Sequence, residues 1–223
     1  MDKKLLGGVL AAVVLGAGIY FYSHRVESPE PEVPFDPANA AYLVDGQPVM
    51  LVNGKAETPA APGSASKVKT MMFGTSTPGD LNKDGRTDAA FFLVQDTGGS
   101  GTFYYAAAAL NTPRGAQGLN AVLLGDRVAP QTIEIKNGQV VANYAMRQPN
   151  EPMTTPPSIG VSAYITLKGS ALEIVPPTVG LGARCGGNMA YAPVCMDGFH
   201  CAPIPGSHLP FGDVGGVCVK DTK

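Results

Sequence analysis

Asx-Gly pairs that follow short apolar or alternating runs constrain the fold of this chain most strongly. There are three such pairs: Asp45-Gly46, Asn53-Gly54 and Asn137-Gly138. Type I′ turns favour these dipeptides because both central residues adopt positive φ. The run before the third pair, Thr132–Lys136, alternates apolar and polar residues, and Gln139–Tyr144 follows it. The pattern therefore predicts antiparallel β-hairpins.

The middle of the chain, residues 40–178, is expected to be a mainly β domain. Ala106–Leu110 alone would suit a helix. The β-prone residues before it, Thr102–Tyr105, and the short connection to the preceding strand favour a strand instead. Further strands are predicted at Val68–Phe73, Phe91–Val94, Thr102–Leu110, Asn120–Leu124, Ile159–Leu167 and Ala171–Val175. About seven to nine strands suit an antiparallel sandwich or a barrel-like domain. The expected core residues are Phe91, Leu93, Tyr104, Leu123, Ile133, Ile135 and Val141.

Residues 80–88 form a loop in which oxygen-bearing residues alternate with others. Calcium prefers six to eight oxygen ligands, and alternate residues of a short loop can supply them. Gly85 permits the sharp turn that such a loop needs. The predicted calcium ligands are the side chains of Asp80, Asn82, Asp84 and Asp88 and the backbone carbonyl of Arg86. The alternative is a metal-free turn, since Asp, Asn and Gly are also common turn residues.

The spacing D-x-N-x-D-G-x-x-D matches the first nine positions of an EF-hand loop. Phe91 stands where an EF-hand needs a bidentate Glu, and Ala89–Val94 reads as a buried strand rather than a helix. The stretch GDLNKDGRTDAAFFLV instead resembles the calcium loop of FG-GAP repeats in integrin-type propellers. The motif occurs once, whereas a propeller needs about four or more blades. The resemblance therefore implies the calcium site and not the propeller fold.

The N-terminal residues 1–25 are predicted to form a membrane anchor. Residues 5–22 carry no charge and approach the minimum length of a membrane span. Lys3 and Lys4 favour a cytoplasmic N-terminus, which would place the rest of the chain outside the cytoplasm. A cleaved signal peptide is the alternative. Residues 26–39, rich in Pro and Glu, are expected to form an extended stalk or a plain linker.

Residues 179–223 contain all four cysteines, and the exported location predicts a disulfide-rich module. Four cysteines allow three pairings, and their spacing favours the interlaced pairs Cys185–Cys201 and Cys195–Cys218. Zinc held by two cysteines with His200 and His208 is the alternative. The pattern resembles small secreted cysteine-rich modules, including some protease-inhibitor and growth-factor-binding types, although it has fewer cysteines.

The middle domain also resembles an uncharacterised exported bacterial domain. The resemblance is carried by YLVDGQPV at residues 42–49, the acidic loop, GSGTFYY at 99–105, LGDRVAPQT at 124–132 and EPM at 151–153. It implies a location in the cell envelope and implies no activity.

Catalysis is not expected in this chain. The middle domain has no His, which excludes a Ser-His pair, and the remaining acids Asp126, Glu134 and Glu151 carry no motif. The net charge of −2 argues against nucleic acid as a partner. The sequence thus predicts a single-pass, extracytoplasmic calcium-binding structural or binding protein of the bacterial envelope, with an envelope protein or a polysaccharide as partner. The alternatives are a protease inhibitor or adhesin, which would use the tail and the Met146–Ser158 loop, and a cell-wall hydrolase.

Overall fold

The computed structural model describes residues 32–148, 151–187, 192–204 and 215–222. The predicted mainly β fold with antiparallel sheets is confirmed in these ranges. The predicted anchor, residues 1–25, lies outside them, as do residues 26–31 of the predicted stalk. Across the described part of the chain, no helix has the length and apolar character to span a bilayer.

Twelve strands form the described part of the middle of the chain. They are β1 (Ala41–Val44), β2 (Gln47–Met50), β3 (Lys55–Pro59), β4 (Lys67–Gly79), β5 (Asp88–Asp96), β6 (Thr102–Thr112), β7 (Gly115–Gly118), β8 (Val122–Asp126), β9 (Ala129–Lys136), β10 (Gln139–Met146), β11 (Ile159–Lys168) and β12 (Ala171–Val175). β3 and β7 were not predicted from the sequence, because neither strand contains an apolar run. The segment Ala106–Leu110 lies in β6, as predicted.

These strands build three sheets. β1 pairs with β2, and β12-β11-β10-β9 form a four-stranded sheet. The third sheet has the order β3-β4-β5-β6-β7, and β8 also pairs with β6. All of these named pairings are antiparallel.

The central strands β5 and β6 are buried on both faces. Successive side chains of a strand point to opposite faces, so Phe91 and Tyr105 pack with the β1–β2 hairpin, while Phe92 and Ala106 pack with the four-stranded sheet. Strands covered on both sides read as continuous apolar runs. This explains the uninterrupted sequence of β5 and the four alanines of β6, whose side chains are all buried.

The prediction that Leu123 belongs to the core is wrong. Its side chain is 45% exposed, whereas that of Leu124 is 8% exposed. The cause is a β-bulge: Tyr104 pairs with Gly125 and Tyr105 with Leu123, which leaves Leu124 as the extra residue. A β-bulge changes which side chains of the strand face the core, and no local sequence signal indicates this one.

Part of the predicted stalk packs on the β domain. The N–H of Val33 donates to the carbonyl of Pro113 at 3.1 Å, and Phe35 packs against the cluster beneath β1 and β2. A 3₁₀ turn follows at Pro37–Asn39, capped by the Asp36 carboxylate, which accepts from the Ala38 N–H at 3.0 Å. This end of the stalk is therefore bound to the domain.

In the described residues of the tail there are five short strands in two small sheets. They are β13 (Thr178–Val179), β14 (Arg184–Cys185), β15 (Val194–Cys195), β16 (Phe199–Pro203) and β17 (Gly216–Lys220). β13 pairs with β15 in parallel, and β17 lies between β14 and β16 with antiparallel pairing on both sides.

Candidate functional site

The acidic loop connects the end of β4 at Gly79 to the start of β5 at Asp88. Two of its residues adopt positive φ, Lys83 at 63° and Gly85 at 85°. Glycine reaches this region without a Cβ penalty, which agrees with the turn role predicted for Gly85. The loop therefore folds back on itself instead of extending from the end of β4.

Side-chain oxygens of the loop accept hydrogen bonds from its own backbone. The Asp84 N–H donates to Asp80 Oδ1 at 3.2 Å and to Asn82 Oδ1 at 3.1 Å. The Gly85 N–H donates to Asp80 Oδ2 at 3.0 Å, and the Arg86 N–H donates to Asp84 Oδ1 at 2.8 Å. Asp80, Asn82 and Asp84 thus turn their oxygens toward the inside of the loop.

Asp84 is held in its charged form. The backbone N–H of Arg86 and then the side chain of Asn82 lower the pKa of Asp84 below its ordinary value. Hydrogen bonds donated to a carboxylate favour ionisation, so the loop presents a negative charge at neutral pH. The Asp84 side chain is exposed and therefore accessible to a cation from solution.

Asp88 has a different environment from the other predicted ligands. Its side chain is completely buried. Oδ2 accepts from the Leu81 N–H at 2.9 Å, and Oδ1 accepts from the Asn111 N–H at 2.8 Å. The carboxylate therefore connects the start of the loop to the end of β6 by accepting from one buried and one partly buried backbone N–H.

The structure does not bring the three carboxylates of the loop to one point. Among the described residues, the only three His, Cys, Asp or Glu side chains whose ligand atoms lie within 4.8 Å of one another are Cys185, Cys195 and Cys201. Asp80, Asp84 and Asp88 form no such group. The residues fit calcium in chemical type, because carboxylate and amide oxygens suit this ion. Each carboxylate oxygen also has a second lone pair beyond the hydrogen bond described above.

Two glycines lie where the loop and the β9–β10 hairpin approach each other closely. A Cβ on Gly79 would lie 2.4 Å from Ile135 Cβ, so only a glycine permits this approach of the loop to β9. A Cβ on Gly138 would lie 2.6 Å from Lys83 Cε. The side chain of Lys83 therefore passes directly over the turn of the hairpin.

The cysteines form two disulfides, Cys185–Cys201 and Cys195–Cys218, with Cα atoms 5.8 and 5.6 Å apart. These are the interlaced pairs that the spacing favours. Cys185 and Cys218 are buried, and no described cysteine is free. Zinc needs deprotonated thiols, so the oxidised module cannot bind zinc through them. Nδ1 of His200 lies 2.8 Å from Asp221 Oδ1, and His208 lies outside the described residues.

Two of the three candidate acids of a hydrolase, Asp126 and Glu151, have structural partners. Asp126 Oδ2 lies 2.6 Å from Arg127 Nη2, and its Oδ1 accepts from the Thr102 N–H at 2.9 Å. The hydrogen bond from Arg127 lowers the pKa of Asp126, and that from Thr102 lowers it further. Glu151 accepts from the Gln148 N–H at 2.8 Å within the Met146–Ser158 loop.

The sequence did not predict a polar network that runs from the exposed Asp45 through Tyr105 to the buried Gln95 and Thr70. The Tyr105 hydroxyl donates to Asp45 Oδ2 at 2.7 Å, and the Gln95 amide donates to Thr70 Oγ1 at 3.1 Å. Burial raises the pKa of Tyr105, and Asp45 adds to this effect. These residues lie far apart in the chain, so no local pattern connects them.

No protein-family model, curated protein or solved structure matches this chain.

Proposed function

We propose that this chain is a membrane-anchored, extracytoplasmic calcium-binding protein of the bacterial envelope with a structural or binding role. The observation that carries the proposal is the loop at residues 80–88, in which Asp80, Asn82 and Asp84 direct oxygens into one turn. Because two or more carboxylates in one tight turn repel each other, a bound cation would stabilise the loop.

Calcium would be held by the side chains of Asp80, Asn82 and Asp84 and by the backbone carbonyl of Arg86. Asp88 can add a lone pair, but its main role in this proposal is to anchor the loop through Leu81 and Asn111. The ion supplies positive charge and fixed coordination. It takes part in no reaction.

Disulfides and the apolar N-terminus support the extracytoplasmic location. Disulfides persist in oxidising compartments and are rare in the cytoplasm, and this chain has two. The uncharged residues 5–22 would provide the membrane contact. A module as small as the tail cannot bury enough apolar surface to fold stably, so the two disulfides stabilise its folded state.

A structural or binding role agrees with the environment of two of the candidate acids, Asp126 and Glu151. A glycosidase needs one carboxylic acid with a raised pKa as proton donor. Asp126 has a lowered pKa instead, because Arg127 and Thr102 stabilise its charged form. The carboxylate of Glu151 accepts the Gln148 N–H within a local turn.

Isothermal titration of the full-length protein in detergent micelles tests the proposal. We expect one calcium site with a dissociation constant of roughly 0.1–1 mM, the range of extracellular calcium modules. Asp80→Asn with Asp84→Asn should abolish the heat. Asp96→Asn is the matched control, because Asp96 accepts the Gly98 N–H in a similar turn outside the loop. Absence of saturable heat in the unmodified protein would contradict the calcium assignment.

A further inference from the structure

An open cleft lies beside the acidic loop. Its volume is about 440 Å³, which is within the range of small-molecule sites, about 300–1,000 Å³. Lys83 of the loop forms one side, and the β9–β10 hairpin forms another with Lys136 and Gln139. Tyr164 and Thr166 of β11 also line the cleft.

The floor of the cleft is the outer face of the four-stranded sheet. Gln139 pairs with both Lys136 and Thr166, and Val141 pairs with Tyr164, so these side chains lie on one face of adjacent strands. The residues between them, including Val140 and Ile165, point into the core. The cleft is therefore built on a rigid sheet and lined with hydroxyl, amide and ammonium groups.

The side chain of Lys83 lies close to Gly138. The Lys83 side chain passes over the hairpin turn at the point where a Cβ of residue 138 would stand. Lys136 precedes the same turn, so the acidic loop and the hairpin each bring one ammonium group to the cleft. No acidic side chain of the described chain lines it. Glu134 is on the same face of β9 but is not part of the lining.

Calcium would change the charge of the loop that carries Lys83. Residues 80–88 contain three aspartates, one lysine and one arginine, so their formal charge is −3 + 2 = −1. One bound Ca²⁺ raises this to +1. Calcium would therefore remove the repulsion that the loop exerts on an anion beside Lys83, and it would fix the loop that positions this lysine.

From this arrangement we propose that the cleft binds an anionic sugar, with Lys83 and Lys136 contacting its carboxylate or phosphate group. Tyr164, Thr166 and Gln139 offer hydrogen bonds to the sugar hydroxyls. The calcium dependence of this binding rests on the function proposed above, whereas the lysine-lined cleft does not. The proposed site therefore predicts that the partner is an acidic glycan.

Titration calorimetry of the full-length protein in detergent tests this site with three probes: glucuronate, glucose 1-phosphate and neutral glucose. With calcium in excess, we expect saturable binding of an anionic sugar and none of glucose. Lys83→Gln and Lys136→Gln should each weaken binding about fivefold or more, as expected for the loss of one charge contact near the surface. Lys69→Gln, an exposed lysine outside the cleft, should leave it unchanged. Removal of calcium with EGTA should weaken binding to a similar extent.

The outcomes separate this site from the calcium loop. If calcium gives saturable heat but neither anionic sugar binds, the cleft assignment is overturned and the calcium loop stands. The same assignment is overturned if both lysine variants bind as tightly as the unmodified protein. If sugar binding depends on the lysines while calcium gives no heat, the cleft assignment is supported and the proposed calcium dependence of sugar binding is rejected. Binding of only one of the two anionic sugars supports the site and identifies its anion as carboxylate or phosphate.

Discussion

Replacement of Asp88 by Asn tests whether this buried carboxylate is the anchor of the acidic loop. The carboxylate accepts two backbone hydrogen bonds, from Leu81 and Asn111. Asparagine has nearly the same shape but retains only one acceptor oxygen. Its NH₂ group would face a backbone N–H, so two buried donors would lack a partner.

The magnitude follows from these contacts. A hydrogen bond to a charged group contributes about 1.5–3 kcal/mol, and an unsatisfied buried donor costs about 1–3 kcal/mol. Asparagine also removes the desolvation cost of the buried charge, which offsets part of this loss. We therefore expect Asp88→Asn to lower the free energy of unfolding by about 2–3 kcal/mol.

Urea unfolding of the full-length protein in EGTA measures this loss without any contribution from calcium. Asp96→Asn, in an exposed turn, should change the stability by less than about 0.5 kcal/mol. A loss in EGTA that is equally small for Asp88→Asn would refute the anchor role. A loss seen only in the presence of calcium would instead make Asp88 a ligand of the ion.

Three further predictions concern the turn, the tail and the pH dependence. Gly138→Ala should destabilise the protein by about 1–2 kcal/mol because residue 138 has a positive φ. The loss should be about as large as that of Gly169→Ala, because the Lys83 Cε that a Cβ at residue 138 would meet is the far end of a flexible side chain and can move aside; urea unfolding of both variants measures the two losses. Replacement of Cys195 and Cys218 by Ser should cost about 3 kcal/mol, since their bridge closes a separation of 23 residues, and should speed amide hydrogen exchange in the tail. The lowered pKa values of Asp84 and Asp126 predict a stability contribution that is complete above the ordinary value of 3.8 and is lost as the pH falls through the lower folded-state values. The melting temperature should therefore fall in acid below that pH, and Asp84→Asn with Asp126→Asn should make this fall shallower.

Local chemistry made the hairpins predictable. Asn137 and Gly138 have φ of 55° and 75°, the positive values that a type I′ turn requires. The register of this hairpin also follows from its turn. Val140 pairs with Ile135 and is buried, whereas Val141 pairs with Glu134 on the outer face. The prediction that Val141 belongs to the core is therefore wrong, and the pairing set by the turn already indicates its outward position.

Other features depend on contacts between distant parts of the chain. Phe91 and Phe92 are both buried because separate layers cover the two faces of β5, and the sequence of β5 alone does not show what covers each face. The role of Asp88 depends on Asn111 in β6. The spacing of oxygen donors predicted a loop of calcium ligands, but spacing alone could not show that Asp88 is buried beneath it.

The melting temperature of the full-length protein in calcium and in EGTA tests the central claim most directly. A ligand at 10–100 times its dissociation constant stabilises the folded state by about 1.4–2.7 kcal/mol, which corresponds to a rise of roughly 3–10 °C for a chain of this size. We predict this rise for the unmodified protein and its loss in Asp80→Asn with Asp84→Asn. Equal melting temperatures with and without calcium would contradict the account.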